Sequence, residues 1–227
     1  DKLGRKTSMS DPDKGNWSYV YNGFGELIEQ TDAKGQKSEL SYDVRGRLKT
    51  RIDKLANGTV EADTLWVYDT GLYGRGQLYE VDDSLSDYKK SVEYDSLGRL
   101  VVTGTRLSVS GVLSNHYEKI TYDQYGRTFQ VFDAARSAKE FSNNGTQNHY
   151  NSHGYLNKVT SAEQLNGQPA STYHTIQAMD ARGNIVNEEL GNGVTRSATY
   201  EHNTGLLQNL QANLGVNTFQ NLDLQWD

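Results

Sequence analysis

Cysteine is absent from the 227 residues, and proline occurs only twice. Without cysteine there is no disulfide framework, no thiolate metal site and no cysteine nucleophile. Long apolar runs are missing too: the longest uninterrupted one is Leu65–Trp66–Val67–Tyr68. That is far below the roughly 20 residues a membrane-spanning helix needs, and too short for the core of a signal peptide. Basic residues number 23 against 29 acidic ones, for a net charge of −6. They are scattered among the acids, so no cationic face is offered to a phosphate backbone, and nucleic acid is not an expected partner. Leu, Ile, Val and Phe number 22, 5, 15 and 5, about a fifth of the chain, the level at which highly charged chains stay disordered. Here the net charge is small, and 15 Tyr and 3 Trp add large amphipathic rings that bury area. The expectation is a folded chain with a thin, tyrosine-rich core, of a length that admits one or two domains.

What the sequence does contain is repetition. Seven-residue units recur as YNGFGEL at Tyr21, YDVRGRL at Tyr42, YDSLGRL at Tyr94, YDQYGRT at Tyr122 and YNSHGYL at Tyr150. Looser copies are MDARGNI at Met179, YDTGLYGRGQL at Tyr68 with four residues inserted, and YEHNTGLL at Tyr200 with one inserted. DKLGRK at Asp1 reads as a copy without its first residue, and Trp226 as the start of another. The expectation is a single array of about nine repeats over residues 1–227, an excerpt from a longer one.

Each mark predicts a turn. In Asp-x-x-Gly, the Asp or Asn side chain bonds the backbone two residues on, and the Gly takes a positive φ without a Cβ penalty. A type I turn followed by a left-handed Gly is a common hairpin connection. Gly25, Gly46, Gly98, Gly126, Gly154 and Gly183 are the expected left-handed positions. A second polar, turn-forming stretch lies eleven residues past the mark, at Asp32, Asp53 and Asp133, and at Asp83 once the insertion is allowed for. From there to the next mark the distance varies. One connection of nearly constant length alternating with one of variable length predicts turns at opposite ends of paired strands. Asp11–Gly15 and Asp32–Gly35 read as compact turns of this second kind. Asn57-Gly58, Asn144-Gly145, Asn166-Gly167 and Asn192-Gly193 read as two-residue turns.

The flanks read as strands. Tyr19, Leu40, Trp66, Val92, Ile120, Ala198 and Leu224 stand two before a mark, and residues two apart on a strand share a face. HYEKITY at His116 and RLVVTGTRL at Arg99 are β-rich. SDYKKSVEY around Tyr88 and ARSAKEF around Lys139 carry some helix formers without a sustained stripe, and a single helical turn is granted there.

These units resemble the YD-repeat, or RHS-repeat, family, as do DPDKGNWSYVYNGFGEL and GNGVTRSATYEHNTGLL. The resemblance runs along the whole chain. It implies an all-β fold: tandem antiparallel β-hairpin repeats forming a long curved sheet, a panel of a hollow spiral shell. Members include toxin-complex shell proteins and bacterial polymorphic toxins, which enclose a C-terminal toxic domain, and the animal teneurins. The lack of cysteine favours a bacterial member, secreted or at the cell surface. What carries over is a structural role for Tyr21, Tyr42, Tyr68, Tyr94, Tyr122, Tyr150 and Tyr200 and for the turn glycines. Partners implied are neighbouring repeats and an enclosed C-terminal domain. No segment resembles the self-cleaving protease junction of such shells, so no catalytic residue carries over. About 18 strands at roughly 4.8 Å spacing make a sheet roughly 86 Å wide; closed on itself it would be too narrow for a folded toxin, so a panel is expected rather than a container.

Other chemistry is weakly signalled. Asp11-x-Asp13-x-Gly15 hints at a calcium loop, but Asn22 stands where the bidentate Glu belongs, and a plain turn is the simpler reading. His149 and His153 flank a turn and do not share a helical face. Gly71–Gly76 is glycine-rich with no helix after it to bind an anion, and reads as an inserted loop. No G-x-S-x-G elbow occurs, and no pair of acids stands out for glycoside hydrolysis. Sequons at Asn16, Asn57 and Asn144 matter only in a eukaryotic secretory pathway. No catalytic, cofactor or metal residue is therefore assigned. Two alternatives to the structural panel stay open: a binding module holding carbohydrate or a cell-surface receptor on Trp17, Trp66 and rim loops, and an enzyme on an all-β scaffold.

Overall fold

A computed structural model describes residues 1–135, 145–162 and 170–226. The described residues form eighteen strands and no helix, all members of one antiparallel sheet. The chain divides into two compact units. The first, from Asp1 to Glu118, holds β1 (Ser8–Asp11), β2 (Gly15–Tyr21), β3 (Leu27–Thr31), β4 (Lys37–Tyr42), β5 (Leu48–Lys54), β6 (Val60–Tyr68), β7 (Leu78–Asp83), β8 (Tyr88–Tyr94), β9 (Leu100–Val109) and the start of β10 (Val112–Tyr122). The second, from Lys119, holds the end of β10, most of β11 (Thr128–Ala135), and then β12 (Gly145–Tyr150), β13 (Leu156–Ser161), β14 (Thr172–Met179), β15 (Ile185–Leu190), β16 (Val194–Tyr200), β17 (Leu207–Leu214) and β18 (Asn217–Asp223).

Within each unit a strand pairs with the next one in sequence. The hairpin β4–β5 runs in register from Lys37 opposite Lys54 to Tyr42 opposite Leu48, with a one-residue shift between Ser41 and Tyr42. Equivalent shifts fall just before Tyr21, Tyr68, Tyr94, Tyr150 and Tyr200. These marks therefore sit at β-bulges, which at Tyr21, Tyr42, Tyr94 and Tyr150 are the consequence of a type I turn closed by a left-handed glycine. Between hairpins the ladder is shorter: β3–β4 runs only from Glu29 opposite Glu39 to Thr31 opposite Lys37. It stops two residues short of Leu27, leaving a wedge beside the mark.

The marks fold as their residue types dictate. At Asp43 the carboxylate accepts the backbone N–H groups of Arg45 and Arg47 at 2.8 and 3.0 Å, and Gly46 donates to the Asp43 carbonyl at 3.0 Å. Gly25, Gly46, Gly98, Gly126, Gly154 and Gly183 have φ of 86°, 75°, 74°, 82°, 87° and 86°. Asp32 builds the same turn at the opposite end of its strand, with Gly35 at φ 78°. The beheaded copy folds likewise: Asp1 accepts from Leu3 and Arg5.

Several expectations fail locally. Asp53 and Asp133 do not begin turns, since β5 runs on to Lys54 and β11 to Ala135. The turn after β5 is Leu55–Gly58, displaced because cross-strand pairing with β6 continues past Asp53. Asn57-Gly58 and Asn192-Gly193 are not two-residue turns either. Such turns need positive φ at both residues; here only Gly58 and Gly193 have it, and each donates back three residues, to Leu55 and Leu190. The segment at Tyr88 is strand β8, its helix formers overridden by pairing with β7 and β9. ARSAKEF beyond Ala135, Asn144 and Asn166-Gly167 lie outside the described residues.

The core is thinner than expected. Among the described residues only Val92, Phe132, Ala162, Val194 and Ala212 are buried apolar side chains, and no large side chain is fully buried. The mark tyrosines are half-buried. The sheet carries cross-strand polar pairs, such as Lys54–Glu39 and Lys89–Glu80 at 2.5 and 2.9 Å. Partly exposed pairs of this kind contribute roughly 0.2–1 kcal/mol each.

Candidate functional site

The sequence-predicted residues assemble into seams that run along the wedge between successive hairpins. Tyr21, Tyr42, Tyr94, Tyr150 and Tyr200 each donate a hydroxyl hydrogen bond to a carbonyl of the preceding hairpin: Lys6, Leu27, Leu78, Thr128 and Ile185, at 2.9, 2.8, 2.7, 2.7 and 3.2 Å. The acceptor lies six residues past the previous mark, or ten where four are inserted. Trp226, the start of a further copy, does the same with its indole N–H, 2.7 Å from the Leu207 carbonyl. The ring fills the wedge where the ladder has stopped, and its polar tip satisfies a carbonyl the ladder leaves over. Burial pushes the phenols of Tyr42, Tyr68 and Tyr94 up from their ordinary pKa.

Arginines complete the seam. Arg5, Arg47 and Arg127, each just after a turn glycine, place their guanidinium over the next mark's ring, 4.9 Å from Tyr21, 4.3 Å from Tyr68 and 4.1 Å from Tyr150. Arg47 also pairs with its own turn acid Asp43 at 2.7 Å and with Asp69 of the next turn. Its Nη1 is buried with no hydrogen-bond partner, as befits a group lying against an aromatic face. Hydrogen bonds from Arg47, then from the Gly76 N–H, hold Asp69 down to about 2. Arg182 crosses the next seam differently, donating to the carbonyls of His202 and Asn203 at 2.8 Å. The arginines carried a signal, the recurrent Gly-Arg of the marks. Sequence reasoning left them unused because their target is the next repeat.

Two polar constellations lie away from the seams. A groove of about 390 Å³ in the first unit is lined by Trp17, Gln30, Ser38, Arg51 and Asp53 among others. There the Trp17 ring centroid is 6.5 Å from that of Tyr19, and its indole N–H donates to the Lys14 carbonyl. In the second unit Glu188, only 9% exposed, receives His174 at 2.6 Å and Arg196 at 2.8 Å. Three strands thus converge on one carboxylate, which nothing in the sequence pattern signalled.

Asp11 bonds the N–H groups of Asp13 and Lys14, as a plain turn does. His149 faces Thr160 at 3.0 Å, whereas His153 sits in the exposed turn, so the two are not brought together. The glycine-rich stretch is a loop closed by Asp69, whose carboxylate accepts from the Gly76 N–H at 2.6 Å. Asn16 and Asn57 are exposed. Among the described residues no group of three metal-ligating side chains converges, and no helix is long and apolar enough to cross a membrane.

Comparison with known proteins places this fold. A family model described as RHS Repeat matches residues 21–60. No curated protein sequence matches the chain. Among solved structures, a Photorhabdus luminescens Tc holotoxin pore with a TccC3 mutation superposes with a TM-score of 0.82 over 99% of this chain, at 18% identity. The TcdB2-TccC3 complex gives 0.82 over 99% at 16% identity, as does a TcdB2-TccC3-Cdc42 structure. This chain spans only 11–12% of the length of those chains.

Proposed function

We propose that this chain, whose residues 21–60 match the RHS Repeat model and whose fold superposes on Tc toxin structures, is a non-catalytic stretch of wall in a secreted bacterial toxin-type protein of the RHS (YD) repeat family, part of a β-sheet shell around a C-terminal toxin or effector. The observation that supports this most is the seam itself. Tyr21, Tyr42, Tyr94, Tyr150 and Tyr200 donate a ring hydroxyl back to the hairpin before them, and Arg5, Arg47 and Arg127 reach a guanidinium forward to the next. Such nearest-neighbour joints let hairpins be added without a packed core, which suits a thin wall. A sheet burying only five apolar side chains among the described residues gains stability from continuity with further repeats. Electron microscopy of the intact protein tests this reading. A hollow shell with density inside is expected; solid rods with no internal cavity would overturn it.

The groove beside Trp17 supports a second reading, recognition of carbohydrate. An indole flanked by Gln30, Ser38, Arg51 and Asp53 offers a ring and planar polar groups, the pairing that sugars use. A glycan array probed with the intact protein decides it, and absence of any hit at high protein concentration would remove it.

A further inference from the structure

We propose that the notch between the turns at 151–155 and 180–183 is a binding site for a para-substituted phenol. This goes beyond the wall reading and does not depend on it. Met179 is the one mark that is not aromatic. At Tyr42, Tyr150 and Tyr200 the mark ring fills the wedge and donates to the carbonyl six residues past the previous mark. For Met179 the equivalent carbonyl is that of Leu156, and a thioether has no proton to donate.

The arginine of this seam is missing as well. Where Arg5, Arg47 and Arg127 stand over the next ring, this repeat has Tyr155, 54% exposed and reaching toward the Gly183 turn. With both bridging groups replaced, a cavity of about 450 Å³ opens, lined by Tyr155, Leu156, Asn157, Ile176, Met179 and Asp180 among others. The next seam has a groove too, but there Tyr200 supplies the ring and Arg182 bridges to the facing turn.

The chemistry of the notch matches what is absent from it. Leu156, Ile176 and Met179 offer an apolar bed, and methionine sulfur packs favourably against aromatic edges. Asn157 Oδ1 is shielded from solvent and has no hydrogen-bond partner, an unmet acceptor beside the wedge. A phenol ring entering along Met179 would donate its hydroxyl as the mark tyrosines donate theirs. The carboxamide of Asn157 offers a second acceptor on rotation.

An NMR titration of the whole chain tests this, using p-cresol, toluene as the ring without a hydroxyl, and N-acetyl-tyrosinamide. Expected are saturable shifts at the Leu156 and Asn157 amides and the Met179 methyl with p-cresol, and binding roughly tenfold weaker with toluene, about one hydrogen bond's worth. Binding of N-acetyl-tyrosinamide as well identifies a tyrosine side chain as the occupant, and binding of p-cresol alone a free phenol. Met179→Tyr supplies the ring from within and should abolish the response, whereas Met179→Leu keeps the notch and should retain it. Overturning results are no saturable shift at these residues, equal binding of toluene and p-cresol, or an unchanged titration in folded Met179→Tyr.

Discussion

The phenol hydroxyl of Tyr42 lies 2.8 Å from the carbonyl oxygen of Leu27, fifteen residues back in the chain and one hairpin away. Its counterpart joins Tyr94 to Leu78 at 2.7 Å. Replacing Tyr94 by Phe keeps the ring in the wedge and removes only this bond. The expected cost is about 1 kcal/mol, read as a lower urea midpoint with an unchanged m-value. Tyr94→Ala, which also empties the wedge, should cost about 3 kcal/mol. An unchanged midpoint in Tyr94→Phe would show that the hydroxyl contributes nothing, and equal losses for the two variants that the ring contributes nothing.

Gly98 isolates the cost of backbone conformation. Its φ is 74°, and a Cβ built on it would meet nothing closer than Gln77 Nε2 at 3.7 Å. Space is available, so the penalty of a side chain is the left-handed conformation alone. Gly98→Val should destabilise by roughly 1–2 kcal/mol and Gly98→Ala by about 1 kcal/mol, measured by thermal unfolding. A neutral Gly98→Val would overturn the turn assignment.

Acid should loosen the first unit at the Arg47 seam. The Asp69 carboxyl titrates at about 2 in the folded chain, against an ordinary 3.8. A depressed folded value means the stabilisation is complete above about pH 4 and is lost as pH falls toward 2. Asp43 is shifted the same way by its bonds to Arg47. Asp69→Asn should therefore be less stable than the parent at pH 6 and lose less on acidification from pH 4 to 2. Parallel pH profiles for the two proteins would exclude the linkage.

Glu188 holds three strands of the second unit through His174 and Arg196. Glu188→Ala removes two charge-assisted bonds and leaves Arg196 facing the sheet without its acid. A loss of about 2 kcal/mol is expected, with Glu188→Gln intermediate because the amide still accepts. Hydrogen exchange should quicken along β15 and β16 in the alanine variant. Unchanged exchange there would mean the carboxylate is incidental to the pairing.

Much of this molecule is local and was therefore legible. Turn chemistry lives in four or five consecutive residues, so Asp43 and Gly46, or Asn151 and Gly154, announce their hairpin before any tertiary contact exists. Alternation of apolar and polar residues around Tyr19, Leu40 and Val92 marks strands for the same reason, since period two is a property of one extended segment. Absence of cysteine and of apolar runs excluded whole classes by composition alone. The displaced turn at Leu55–Gly58 shows the limit: β5 outran Asp53 because its partner strand supplied further hydrogen bonds.

Tertiary structure alone decided what the repeats do to one another. The target of the Tyr42 hydroxyl, the ring beneath Arg47 and the convergence of His174 and Arg196 on Glu188 each join residues far apart in the chain. Their pairing depends on how far each ladder extends before neighbouring hairpins part. The same holds for Met179: as a letter it is a lapse in a pattern, and only the wedge around it, with the Leu156 carbonyl on one side and Asn157 beside it, gives the lapse a shape. Turn and strand follow from short-range sterics and hydrogen bonding, whereas the seams follow from the spacing between hairpins, which no single repeat encodes.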